Sequence, residues 1–271
     1  MVKNNYSIPL TGELMDKLKG CNHFTKLDLR LGYINVCIRE GDEWKTTFTT
    51  GGWTYESTVM FFGQINTPMM FQTMMNELLQ VIAYVIIYID NILIFTKPGQ
   101  EEEHNQIIKK ILDLLQKNNL YLKPKKCFFA QKEIEFLEVW VLKNRVWMDN
   151  EKVQVVQEWP CLSRVKQVQK FLRLANYYWR FIQGFRAIAK PLYKLTKKDQ
   201  QFKWEPQHEA TFKQLKQAFT KAPVLDFLDS NKELQVKYDA LDFATGAVLS
   251  AKGEDSLWCP YAFISHGLTG A

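Results

Sequence analysis

Two aspartates stand where this sequence could do chemistry. Asp90 lies beside Asn91 within an otherwise apolar run, Val81 to Phe95 (VIAYVIIYIDNILIF). Burying a polar pair in such a run costs free energy unless something compensates. Asp28 falls near the end of a second strand-like stretch, Phe24 to Leu29. Two carboxylates brought together repel unless a cation sits between them. Carboxylate oxygens suit Mg²⁺, and a carboxylate-held metal pair stabilises the attacking and leaving oxygens of a phosphoryl transfer. That chemistry needs a fold in which residues 28 and 90 meet.

The elements around them predict such a fold. The run from Val81 to Phe95 is shorter than the roughly 20 apolar residues of a membrane span, and a central Asp is expensive there. Its β-branched and aromatic content predicts a hairpin, with Asp90-Asn91 at the turn. Thr11 caps a short helix with Leu14 and Leu18 on its apolar face, ended by Gly20. Phe24–Leu29 reads as a strand, and Tyr33–Ile38 continues extended. Trp44–Thr50 and Trp53–Met60 read as a hairpin around Gly51-Gly52. Asn66-Thr67-Pro68 starts a helix that runs to about Gln80. A second helix follows Gly99, with Glu101–Glu103 in its first turn and lysines later, and Leu120–Lys123 reads as a short strand. The order β, α, β-hairpin, α, β is that of a ferredoxin-like α+β sheet. In that topology Asp28 and Asp90 face each other at one end.

Further on, Ile134–Leu142 and Arg145–Met148 read as a hairpin. Helices follow over Asn150–Trp159, Arg164–Tyr178, Ala187–Leu195 and His208–Thr220. After Pro223 the pattern changes to strands. The net charge of +6 arises from residues 151–221, which carry 15 basic and 5 acidic side chains. Scattered lysines on helices ordinarily form a solvated surface. The interleaved aromatics Tyr177, Tyr178, Trp179 and Phe181 add weight to a second reading, a phosphate-binding surface. The five cysteines form no C-x-x-C pair, so neither a disulfide framework nor a zinc knuckle is suggested, and a reducing compartment is the simpler reading. Met1–Leu10 has no apolar core of a signal peptide.

Several ordered motifs resemble the polymerase of gypsy-type LTR retrotransposons. FTKLDLRLGY (Phe24–Tyr33) resembles its first catalytic motif, and GDEWKTTF (Gly41–Phe48) its fingers hairpin. FGQINTPMMFQ (Phe62–Gln72) resembles its template- and nucleotide-positioning motif. YIDN (Tyr88–Asn91) takes the place of Y-x-D-D. LYLKPKKCFF (Leu120–Phe129) and EFL (Glu135–Leu137) resemble its later palm motif and primer grip. FLRLANYYWRFI (Phe171–Ile182) resembles the segment leading to RNase H, and YDALDFATGAVLS (Tyr238–Ser250) the first RNase H strands.

The resemblance implies an RNA-directed DNA polymerase with a right-hand palm, partial fingers and palm over 1–142, a basic helical thumb and connection over 143–221, and an incomplete RNase H-like sheet over 222–271. It implies Asp28 and Asp90 as ligands of Mg²⁺ or Mn²⁺. Tyr33 would lie under the incoming sugar and exclude a 2′-OH, with Phe62, Gly63 and Gln72 also at the nucleotide. Leu137 would belong to the primer grip, and Asp239 would be the first RNase H carboxylate. The implied partners are an RNA template, an RNA–DNA hybrid and dNTP, with no membrane, in the cytoplasm or nucleus.

The sequence departs from that pattern in ways that carry expectations. Asn91 replaces the second Asp of Y-x-D-D, keeping a carbonyl oxygen while losing a charge that a two-metal site needs. The stretch before residue 1 that would grip the triphosphate, and the later RNase H carboxylates, are expected to be missing. Impaired or lost polymerization and no RNase H activity are therefore expected. A non-catalytic nucleic-acid-binding relic or domesticated retroelement protein is the alternative. Glu138 and Arg173 stand where the family usually has glycine, which predicts backbone strain at both.

Overall fold

The computed structural model describes residue 6 and residues 8–198, 200–227, 231–241, 244–253 and 256–267. Stretches 1–5, 242–243 and 268–271, which hold the first residues, part of the RNase H-like motif and the last residues, lie outside these. The chain divides into two units, 1–136 and 137–271.

The first unit opens with α1 (Thr11–Asp16) and strand β1 (His23–Asp28), which is buried at five of its six positions. A short hairpin, β2 (Phe48–Thr50) and β3 (Trp53–Tyr55), precedes α2 (Thr67–Leu79), which has Pro68 in its first turn. Strands β4 (Val85–Tyr88) and β5 (Asn91–Thr96) form the hairpin expected of the apolar run. Helix α3 (Glu101–Lys117) begins on three glutamates and ends on a lysine, as its dipole favours. Strands β6 (Phe128–Gln131) and β7 (Ile134–Phe136) close the unit.

The main sheet has the order β4-β5-β1-β6, with antiparallel neighbours throughout. This is the ferredoxin-like order, with β1 between the hairpin and the last strand. Leu27, Ile92 and Ile94 of the sheet bury against Phe71, Met75 and Leu79 of α2 and Ile108, Ile111 and Leu115 of α3. Side chains alternate along a strand, so Asp28 and its partner Asn91 point to the opposite face, away from α2 and α3.

Several expectations for this unit are corrected. Thr11 is the first residue of α1, and no side chain caps that helix, whose N-cap position falls on Leu10. Tyr33–Ile38 does not continue as a strand: Leu31 adopts φ 55° and a 3₁₀ turn covers Gly32–Asn35. Glu43–Thr46 is likewise 3₁₀, which shortens the predicted hairpin. Leu120–Lys123 supplies one bridge, Leu29 to Leu122, and the edge strand beside β1 is β6. Pro124 cannot donate to a ladder, so pairing resumes beyond it.

The second unit holds β8 (Val139–Leu142) and β9 (Arg145–Met148), turned at Asn144 with φ 62°. Helix α4 (Asn150–Gln157) follows, capped by Asp149 Oδ1, which accepts from the Glu151 amide at 3.1 Å. Then come α5 (Val165–Tyr177), α6 (Phe185–Leu195), α7 (Pro206–Thr220) and the short β10 (Leu225–Asp226), paired with β9. Phe171, Tyr178, Phe185, Phe212 and Phe219 bury among these helices. Strands β11 (Leu234–Leu241), β12 (Ala244–Lys252) and β13 (Trp258–Gly267) form an antiparallel sheet. The single strand expected over Ile134–Leu142 is interrupted by Leu137 (φ 50°) and Glu138 (φ 61°).

Candidate functional site

In the β4–β5 hairpin Tyr88 pairs with Asn91, so Ile89 and Asp90 are the central turn residues. The sequence reading put Asp90-Asn91 there. Asn91 is instead the first residue of β5, and the left-handed conformation falls on Ile89 at φ 56°. A β-branched residue there is strained and persists only where its surroundings over-determine it. Gln72 on α2 does this. Its Oε1 accepts the Ile89 N–H at 2.7 Å, while Nε2 donates to the Ile87 carbonyl at 3.1 Å and to Asn76 Oδ1 at 2.9 Å. Gln72 is 0% exposed. Expected at the nucleotide, it spends its amide on the turn backbone and on Asn76.

Register places Asp28 opposite Asn91 and Asn91 opposite Tyr88, so the three side chains form one row on the face away from α2 and α3. Asp90 is fixed beside Asp28 by the Leu29 N–H, which donates to the Asp90 carbonyl at 3.0 Å. Asn91 Nδ2 donates to Asp90 Oδ1 at 3.2 Å. Asp28 is 7% exposed. Lys123 Nζ stands 3.2 Å from its Oδ1, off the line of a hydrogen bond, so this buried oxygen has a neighbouring charge but no donor. The Lys123 amide also donates to the Asp28 carbonyl at 2.9 Å. An orphaned carboxylate oxygen beside a second carboxylate fits a hard divalent cation. Among the described residues no group of three or more His, Cys, Asp or Glu could hold a metal. Lys123 escaped the sequence reading except as a letter in its motif. Its one signal is that it precedes Pro124 and is thereby held extended.

Tyr33 packs edge-on to Phe62 and Phe71, with centroids at 4.9 and 5.4 Å. Burial, then the charge of Asp90 and the Tyr88 hydroxyl, push its pKa up, so its hydroxyl is neutral near pH 7. Phe62 is 81% exposed, and Gly63 adopts φ 100°, where a side chain would strain the backbone. Gly32 is a second residue that sequence reasoning missed. A Cβ there would stand 3.1 Å from the Phe71 ring and 3.5 Å from the Asp90 Cβ.

In the second unit, two tyrosine hydroxyls hold the strained pair before β8. Tyr177 donates to the Leu137 carbonyl at 2.6 Å and Tyr178 to the Glu138 carbonyl at 3.1 Å. The Glu138 carboxylate pairs with Lys152 at 3.2 Å. Burial first, then Glu138, raise the Tyr178 pKa. The strain expected of Glu138 is present. That expected of Arg173 is not, because it sits exposed inside α5, where a side chain is preferred to glycine. On α5, Lys166, Lys170 and Arg173 recur at helical spacing on the exposed face, in steps of four and three residues, and Tyr177 continues the row. Asp239 is exposed, pairs with Gly246, and lines a pocket of about 430 Å³ with Lys237, Gly184 and Ser265.

The fold is that of a polymerase palm, followed by helices and an RNase H-like sheet. The model of the reverse transcriptase (RNA-dependent DNA polymerase) family matches residues 2–141, and the chain belongs to that family. The RNase H-like domain found in reverse transcriptase matches residues 204–271. The Transposon Tf2-7 and Tf2-3 polyproteins of Schizosaccharomyces pombe (strain 972 / ATCC 24843) are each 33% identical over 99% of this chain, which spans 20% of their length. Two solved structures of foamy viral protease-reverse transcriptase share the fold. The complex with RNA/DNA hybrid has TM-score 0.82 at 23% identity, covering 99% of this chain and 36% of that one. The complex with dsDNA has TM-score 0.77 at 24% identity, covering 99% and 55%. Among the described residues no helix is long and apolar enough to cross a membrane.

Proposed function

We propose that this chain holds an RNA–DNA template–primer and adds dNTP to it slowly, as a reverse-transcriptase palm one carboxylate short. The observation that carries this reading is the row Asp28–Asn91–Tyr88, in which an amide occupies the middle position. Asp28 and Asp90 would hold Mg²⁺ or Mn²⁺, and Asn91 would offer one neutral oxygen. A bound divalent cation supplies charge neutralisation at phosphoryl oxygens. Asn91 adds no negative charge of its own, so the site would hold its metals less tightly.

The remaining roles rest on the resemblance, and the surroundings of each residue support them. Tyr33, braced by Phe62 and Phe71, is a neutral ring suited to lie under the sugar. Gly63 leaves open space for a nucleotide to approach the backbone. The Leu137-Glu138 turn is the candidate primer grip. The α5 row would track phosphates, giving salt-dependent and sequence-independent affinity. We assign palm and partial fingers to 1–142, a basic connection to 143–221 and the RNase H-like part, with Asp239, to 222–271.

Primer extension on an RNA template with Mg²⁺ or Mn²⁺ tests the reading, with Asp90→Ala as control. Slow extension that disappears in the control is the expected result. Binding of the hybrid without extension above the control would remove catalysis and leave a nucleic-acid-binding module. The absence of both binding and extension would overturn the reading.

A further inference from the structure

We propose that Asn76 and Tyr6 are positioning residues for the Ile89–Asp90 turn, acting through Gln72. The importance of the turn rests on the polymerase reading above; the contacts do not. Gln72 and Asn76 lie one helical turn apart on α2 and face the same way. Gln72 Nε2 donates to Asn76 Oδ1 at 2.9 Å, and Asn76 Nδ2 donates to the Tyr6 hydroxyl at 2.6 Å. A hydrogen-bonded chain thus runs from Tyr6 through Asn76 and Gln72 to the Ile89 amide.

The chain has a single polarity. Gln72 must turn its oxygen to the Ile89 N–H and its NH₂ to the Ile87 carbonyl; reversed, donor would face donor and acceptor acceptor. The second N–H of that NH₂ then needs an acceptor, since a buried donor left unpaired is costly. Asn76 Oδ1 is that acceptor, which turns the Asn76 NH₂ outward. Tyr6, whose hydroxyl can accept, receives it. Each member thereby fixes the next, and the last bond holds a β-branched residue at φ 56°. Tyr6, which precedes α1, and Asn76 on α2, neither of them near Asp28 or Asp90 in sequence, therefore bear on where Asp90 stands.

The test is amide hydrogen exchange of Ile89 by NMR in the full chain, referenced to Leu93 and Ile94 of β5. Loss of one net hydrogen bond in Asn76→Leu should speed exchange at Ile89 by roughly tenfold relative to those references. Asn76→Asp keeps an oxygen toward Gln72, and the Tyr6 hydroxyl can turn to donate, so the ratio should return to within about twofold of the parent. Tyr6→Phe removes only the outermost hydroxyl, at the surface, and should speed Ile89 selectively by a smaller factor. An unchanged ratio in Tyr6→Phe overturns the role of Tyr6. An unchanged ratio in Asn76→Leu, or Asn76→Asp behaving as Asn76→Leu, overturns that of Asn76. If Asn76→Leu does not fold, Asn76→Ala takes its place under the same criteria, and Tyr6→Phe still decides the role of Tyr6. The readout needs neither metal nor nucleotide, so a chain that extends no primer still reports on the relay.

Discussion

Asn91 stands directly opposite Asp28 in the β1–β5 ladder. Replacing it by Asp would place a carboxylate beside two others, with Lys123 as the nearby cation. Without metal, Asn91→Asp should lower the melting temperature, because like charges in one site repel. With Mn²⁺ the order should reverse, since a ligand that binds the folded state stabilises it in proportion to its affinity. Thermal unfolding with and without Mn²⁺ checks both signs. A variant that melts identically to the parent in both conditions would refute the metal-site reading of this row.

The Leu137-Glu138 turn should respond in opposite ways to two substitutions. Glu138→Gly relieves a left-handed conformation and loses a half-exposed ion pair and a long 3.5 Å bond from the Tyr178 hydroxyl, so it should stabilise the chain by about 0.5–1 kcal/mol. Tyr178→Phe leaves the Glu138 carbonyl without its donor and should destabilise by about 1–2 kcal/mol. Urea unfolding of both variants measures this.

His104 should make the chain acid-sensitive. Its ring nitrogens bond the hydroxyls of Thr25 at 2.8 Å and Thr96 at 3.0 Å, and it is buried. Burial first, then the neighbouring His23, hold its pKa below the usual histidine value, with Glu101 and Lys132 flanking His23. The unfolded chain therefore binds the proton more readily. The stabilisation is complete above about pH 6.5 and is lost as pH falls through the folded pKa. The urea midpoint should drop between pH 7.5 and 5, with a smaller drop in His104→Gln.

The α5 row should set the salt dependence of nucleic-acid binding. Lys170→Ala and Arg173→Ala should each lower the magnitude of the slope of log K against log salt by roughly 0.7–0.9, and weaken binding alike on unrelated sequences. Fluorescence anisotropy with an RNA–DNA hybrid across a KCl series reads this. A slope unchanged in both variants would remove α5 from the interface.

The site was legible in the sequence to different depths. The apolar run around Asp90 and the β, α, β-hairpin, α, β order were enough to place Asp28 next to the hairpin. Wording of the motifs also drew attention to Gly63, Leu137 and Asn91. Gln72 was visible as a residue but not in its task, because the Ile89 amide that it holds lies 17 residues away. Lys123 and Gly32 are not legible in the sequence for a related reason. A lysine before a proline, or a glycine after a left-handed leucine, acquires meaning only when a carboxylate or an aromatic ring is packed against it.

What the sequence determined by itself was the longer helices, the central strand and hairpin in their order, and the chemical types at the site, since these depend on local periodicity and turn chemistry. Tertiary structure decided which two residues form the turn, which face of the sheet Asn91 shares with Asp28, and what holds Ile89 in a left-handed conformation. Those outcomes depend on strand register and on side chains converging from α2 and β5, and a one-residue slip in register would have sent every one of those side chains to the other face.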